Sequence, residues 1–321
     1  MTYVTSFVLA IFAYTTFVFS SIALDLSQWP HSASIVKLGG IAGFSSQASA
    51  IFENPASLAT VKEASLSLFA TSMLNQESKL QSAALNLPSK KGCFALGFIQ
   101  HSVPNIPKSQ KLLPVKGLDS DYPLIEGSFN YEERVTLFSY SSSFLQNAHW
   151  SMSFSYYQYK MDKVSGQGQN LNLGFLFPYS DNLEFSWSFK NILVNSQMKY
   201  SNKTALHWPF LTQLGYCYQL NKINIYSQLA AQFNQYKYSQ NQWLFYPSIA
   251  ITVPVFYKPQ LFFSMAITDQ RAVARNKYQL STGLALHLSK ISIDFAYEKS
   301  DYFPASHRFF LSFHVRPFWR F

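Results

Sequence analysis

The chain has 321 residues, 25 basic and 16 acidic, so about 13% are charged, roughly half the share usual in soluble domains. Its 30 Phe, 20 Tyr and 6 Trp make 17% of it aromatic, yet mean hydropathy is −0.01 because uncharged Ser, Asn and Gln offset the apolar bulk. These numbers exclude a disordered chain, a charged coiled coil or helical solenoid and a polybasic tail, and they leave too few Lys and Glu for an ordinary water-facing surface.

Residues 6–19 form an uncharged apolar run, followed by Ser20-Ser21-Ile22-Ala23 with small residues where a signal peptidase reads. The pattern predicts a secretory signal peptide over residues 1–23, cut after Ala23. Met1 to Thr5 lack the usual Lys or Arg, and a single membrane anchor is the alternative. No Cys follows the run, which speaks against a lipoprotein, and no later apolar stretch approaches the roughly 20 residues of a spanning helix.

Residues 24–61 have a different texture. Small residues in Lys37-Leu38-Gly39-Gly40-Ile41-Ala42-Gly43-Phe44 and in Gln47 to Ala59 permit close backbone approach, and Asn54-Pro55 should end any short helix on Ala48 to Phe52. The expectation is a compact plug, or hatch, folded into the mouth of a barrel whose wall is residues 62–321.

From there to the C-terminus the period is two. Trp150, Met152, Phe154 and Tyr156 alternate with Ser151, Ser153 and Ser155; Leu183, Phe185, Trp187 and Phe189 alternate with Glu184, Ser186, Ser188 and Lys190. Such a strand suits lipid on one side and a hydrated lumen on the other, because in hydrocarbon every backbone group must be paired within a closed barrel. Alternation and turn residues place strands at 62–73, 80–87, 92–100, 132–141, 149–160, 168–177, 183–194, 208–219, 222–235, 243–253, 260–269, 278–288, 290–299 and 307–316, fourteen in all. Connections after even-numbered strands are tight and those after odd-numbered ones longer, as between a periplasmic and an outer rim. A soluble β-sandwich would alternate too, but its wet face would favour Lys, Glu and Thr over Ser, Asn and Gln.

The longest connection, about 31 residues from His101 to Tyr131, mixes Val103, Ile106, Leu112, Leu113, Val115, Leu118, Leu124 and Ile125 with four Pro. It reads either as a lid or docking surface or as a loop that merely closes the mouth. At the other end Phe309, Leu311, Phe313 and Val315 alternate with polar residues, and Trp319 and Phe321 end the chain. A final strand that closes on an aromatic resembles the assembly signal of bacterial outer-membrane barrels.

The string Ala48-Ser49-Ala50-Ile51-Phe52-Glu53-Asn54-Pro55-Ala56-Ser57-Leu58-Ala59 resembles the A-x-A-x-x-x-NPAGLA signature that opens FadL-like outer-membrane proteins, more closely their PorV/PorQ-type branch; Ser57 stands where the signature has Gly. Gly168 to Phe177, Ile293 to Tyr297 and Ser306 to Ser312 match the same branch. The resemblance implies an all-β, fourteen-stranded transmembrane barrel of the outer membrane with an N-terminal hatch, its motif at Asn54, Pro55 and Ala56. It implies two roles. A PorV-like barrel would be a non-enzymatic docking component for cell-surface protein export. A FadL-type barrel would be a conduit in which hydrophobic small molecules bind at the outer loops, pass the hatch and leave sideways through the wall. The second predicts a continuous apolar track from the long loop to the hatch, and the first a lumen without one.

No catalytic or metal motif stands out, and no cofactor is implied. The histidines, His31, His101, His149, His207, His287, His307 and His314, are dispersed, and Cys93 and Cys217 lie on distant strands, better read as two buried thiols than as a disulfide. The inward faces of the last three strands gather His287, Asp294, Glu298, Arg308, Ser312, His314 and Arg316. Asp294, Glu298, Arg308 and His314 form the candidate lumen cluster; Glu298 should face Arg308 across a hairpin, and structural pairing outweighs a Ser-His-Asp hydrolase. A formal charge of +9 without a basic cluster or nucleic-acid motif points away from nucleic acid and towards outer-membrane lipids and lipopolysaccharide phosphates at the rims.

Overall fold

The computed structural model describes residues 26, 29–73, 77–110, 124–145, 148–193, 196–234, 242–257, 260–269, 278–299 and 307–316. The signal peptide, the aromatic C-terminal end and the middle of the His101–Tyr131 connection, with Leu112, Leu113, Val115 and Leu118, lie outside them.

Sixteen strands occur among the described residues. The first seven are β1 (Ser65–Met73), β2 (Ser78–Ser89), β3 (Gly92–Gln110), β4 (Leu124–Leu145), β5 (Ala148–Met161), β6 (Val164–Ser180) and β7 (Leu183–Lys190). Two short ones follow, β8 (Gln197–Tyr200) and β9 (Ala205–His207). The rest are β10 (Phe210–Leu220), β11 (Ile223–Asn234), β12 (Gln242–Tyr257), β13 (Gln260–Asp269), β14 (Tyr278–His287), β15 (Ile291–Lys299) and β16 (His307–Val315).

Fourteen of them, all but β8 and β9, form one antiparallel sheet in which each strand pairs with its neighbours; β7 pairs with β10, and β1 with β16, closing the barrel. The register of the closing pair runs from Leu66 opposite Val315 to Ala70 opposite Leu311. Closure leaves no open edge in the hydrocarbon. The strand count and the hairpin pairing expected from alternation agree with the structure, and Glu298 does stand opposite Arg308.

The alternation follows the sheet normal. Leu214, Phe245 and Ile249 point outward and are about half exposed, at 52%, 53% and 55%, while Ser139, Ser151, Ser153 and Ser155 point inward and are buried. Outward bulk meets lipid tails; inward small residues leave room for something inside.

Three readings need correction. The long connection is mostly strand, because β3 runs on to Gln110 and β4 begins at Leu124, their ladder continuing past a register shift between Val103 and Ile106 where Asn105 takes a positive φ of 56°. Pro and mixed residues there hid an extension that stands above the lipid, where alternation between apolar and polar faces is no longer required. The strand expected at 183–194 stops at Lys190, and the chain makes the β8–β9 hairpin before β10. Lastly, β5 and β6 join through only Asp162-Lys163, the one tight turn among the described connections of the outer rim. The two thiols are free, and Cys93 alone is fully buried.

A charge on the outward face tests the lipid assignment. Ile249→Arg should lower unfolding stability in lipid vesicles by about 2–4 kcal/mol, the cost of an arginine near mid-bilayer. Ser248→Asn, on the lumen side of the same strand, should cost far less in the same urea titration.

Candidate functional site: the lumen, its plug and a break in the wall

The segment from Trp29 to Val61 lies inside the barrel, bonded to its wall. It holds a short helix α1 (Ala33–Val36) and two 3-10 turns, Ala48–Phe52 and Pro55–Thr60. The Ser32 hydroxyl caps α1 by accepting from Ile35 N. The first 3-10 turn ends before Asn54-Pro55, and Asn54 then caps the second, its Oδ1 accepting from Ala56 N at 3.1 Å with Pro55 in the first position.

Two sets of side chains tie this segment to opposite walls. On one side Asn54, fully buried, donates from Nδ2 to Phe175 O at 3.0 Å and to Ser186 Oγ at 2.9 Å, while Lys190 Nζ donates to Phe52 O at 2.8 Å. The fit depends on Gly174: a Cβ there would come within 1.9 Å of Asn54 Oδ1. Gly97 likewise leaves the space that Phe52 and Ile51 fill. On the other side Lys37 makes an ion pair with Asp294, and Ala33 N donates to Ser312 Oγ at 2.7 Å. His314 Nε2 lies 3.0 Å from the second Asp294 oxygen, and His314 Nδ1 shares a 2.7 Å hydrogen bond with Ser67 Oγ.

The candidate cluster therefore divides. Asp294 and His314 hold the plug, whereas Glu298 and Arg308 pair with each other farther along the same hairpin. Ser67, His314 and Asp294 do line up, but the serine hydroxyl also accepts from Ser49 N at 3.1 Å and is buried beneath the plug. What the array does chemically is anchor backbone. Glu53, beside Asn54, is buried, and burial pushes its carboxyl up to about 7 against the opposing pull of Gly43 N–H and Lys190.

Between the plug and the outer rim the inward face changes character. Phe69, Leu80, Ile99, Val135, Leu137, Tyr157 and Phe310 all point inward, nearly or wholly buried, and form one cluster with Ile51, Phe52 and Leu58 of the plug. Phe69 and Phe310 stack with centroids 6.1 Å apart. Nearer the rim, Tyr131, Tyr159 and Tyr200 pack edge to face, and Tyr131 Oη donates to the buried Glu133 at 2.8 Å. The conduit reading expected an apolar track, but its residues were not named because alternation was read as apolar outside throughout. Its signal was present as doublets, Phe98-Ile99, Tyr156-Tyr157 and Phe309-Phe310, in which both faces turn apolar at once.

Beside this column the wall is incomplete. β7 ends at Lys190, Asn191 turns the chain with a positive φ of 59°, and residues 168–172 of β6 stay paired with β5 but have no strand partner on the β7 side. Side chains and a loop take its place: Asn191 N donates to Asn172 Oδ1 at 2.9 Å, Ile192 N to Leu171 O at 3.0 Å, and Asn191 Nδ2 to Pro209 O at 2.9 Å. The β8–β9 hairpin then pairs with β6 at Gly166 and Gln167, and Ser201 in its turn donates from N to Ser165 O at 2.7 Å. Trp208 from this cover packs on Tyr157, ring centroids 4.5 Å apart, over the space left by Gly168.

Below the plug, towards the rim of short turns, lie two cavities of about 200 and 480 Å3 to which Phe44 and Tyr226 both contribute.

No family model and no curated protein matches the chain. Solved structures do. The Pseudomonas putida toluene transporter TodX superposes with a TM-score of 0.65 at 10% identity, covering 91% of this chain and 99% of that one. A monoaromatic hydrocarbon channel, CymD, gives 0.60 at 11% identity over 92% and 99%. A Pseudomonas aeruginosa FadL homologue gives 0.58 at 12% identity over 93% and 100%.

Asn54→Ala removes a cap and the wall contacts to Phe175 O, Ser186 Oγ and Trp187 O and should loosen the plug by about 3 kcal/mol; Gly174→Ala should do the same by displacing an intact Asn54. Both should raise the protein's single-channel conductance in planar bilayers, with the heat-modified gel mobility of the barrel retained. The chain thus has the fold of the FadL-like outer-membrane channels, a closed fourteen-stranded barrel around an N-terminal plug.

Proposed function

We propose that the protein is a conduit for hydrophobic small molecules across the outer membrane, carried there by the signal peptide at residues 1–23. The supporting observation is the apolar column from the outer mouth to the plug. A hydrated pore would line its lumen with polar side chains, and a docking component for protein export would need no apolar lumen. The similar structures are named for transport of toluene and monoaromatic hydrocarbons, which agrees with small apolar ligands.

The column is filled by its own side chains, so a ligand must part them. Its far end is the plug, latched by Asn54, Pro55 and Ala56, with the Asp294–His314 anchor on the opposite wall. The gap above Lys190 offers a lateral way out. Neutral hydrogen bonds and one short hairpin cover it, and an apolar molecule leaving there enters lipid without crossing the polar cavities beneath.

Uptake of a radiolabelled monoaromatic hydrocarbon by cells carrying the protein tests the column: Val135→Asp should reduce the initial rate at least about ten-fold, the scale of one unpaired buried polar group. Unchanged uptake, with export partners co-purifying from outer membranes, would favour the docking role. The exit is tested by joining Gly166→Cys to Tyr200→Cys, opposite one another on β6 and β8, in a chain lacking Cys93 and Cys217. Oxidation should block uptake and reduction restore it.

A further inference from the structure

The part of β4, β5 and β6 above the apolar belt carries an open cleft of about 570 Å3 on its outer surface, closed on one side by β8. Its position follows from the register. Across these strands the outward row Phe138, Phe154 and Leu171 is apolar. Two residues higher come Thr136, Tyr156 and Gln169, and two higher still Arg134, Gln158 and Gln167, with Lys199 of β8 beside Gln167. Four residues at about 3.3 Å each, tilted by about 40°, put the charged row about 10 Å above the last apolar one. That is the depth of lipid headgroups.

The charge fits an anion. The cleft gathers Arg134, Lys160 and Lys199 against a single carboxylate, Glu132, which Arg134 meets at 2.9 Å. Gln158 and Gln167 supply amides between the cations, and Tyr156 Oη steadies Gln167 at 3.1 Å. Below the cleft, Phe138 and Phe154 are exposed and would lie along acyl chains. A free anion would have no use for that apolar apron, whereas a phosphorylated lipid matches both halves.

We propose that this cleft binds the phosphorylated headgroup of an outer-leaflet glycolipid such as lipid A, its acyl chains lying on Phe138 and Phe154. The site faces away from the lumen and does not depend on what the barrel conducts. It presents the bound lipid alongside β8, the hairpin strand that covers the wall break.

The full chain in detergent is mixed with lipid A, with lipid A stripped of its phosphates, or with lipid A plus millimolar inorganic phosphate, and adducts are read by native mass spectrometry. Wild type should retain the phosphorylated lipid about a hundred-fold better than the triple variant Arg134→Gln, Lys160→Gln, Lys199→Gln, each surface cation contributing about a factor of five. Lys222→Gln, in a turn of the opposite rim, should change nothing. Equal retention of the phosphate-free lipid, undiminished binding in the triple variant, or an equal loss in Lys222→Gln would overturn the assignment. Displacement by inorganic phosphate would make the cleft a free-anion site and overturn it as well. If the triple variant fails to show heat-modified mobility, Lys199→Gln alone gives the same readout with an expected loss of about five-fold.

Discussion

Everything in this molecule answers to the backbone. A strand in hydrocarbon has no water to satisfy its amides, so each must pair with a neighbour, and the ring of pairing can end only by meeting itself. The meeting of β1 with β16 discharges that requirement. Side-chain alternation follows from it, because a closed ring has an inside and an outside and each strand must present both.

The plug is possible because the inside is small where it sits. Serines, alanines and glycines 97, 174 and 283 leave a space that the segment from Trp29 to Val61 occupies, and the close approaches of Phe52 to Gly97, Asn54 to Gly174 and Lys37 to Gly283 are steric before they are polar. Above the plug the same wall grows large apolar side chains and fills its own lumen. The gap above Lys190 is the exception that the closure rule makes conspicuous. There asparagines 170, 172 and 191 supply to backbone what a neighbouring strand would have supplied.

Sequence periodicity made the barrel legible because a period of two survives wherever lipid and lumen differ. Eleven of the expected strands lie over observed ones with small shifts at their ends, β3 and β4 run on well past theirs, and β7 is the shortened fourteenth. The Asn54-Pro55 break was legible for a local reason, since proline forbids the preceding helical turn. The apolar column was not, because it requires knowing which face of Ile99 or Tyr157 is inward, a matter of register with distant strands. The extension of β3 and β4 escaped notice because strands standing in water need not alternate. The break at Asn191 left no mark that differs from an ordinary loop.

The plug's attachments have a consequence for how the protein assembles. Ala33 N bonds to Ser312 across 279 residues of sequence, and Lys37 meets Asp294 across 257. Among the described hydrogen bonds these span the greatest separations, and their wall partners stand on β16, which completes the ring with β1, and on its neighbour β15. Contacts of such separation form late, after the intervening chain is ordered. β15 and β16 therefore carry the ring closure and the plug's anchors together, so a shift in their register would move the plug as well as the seam.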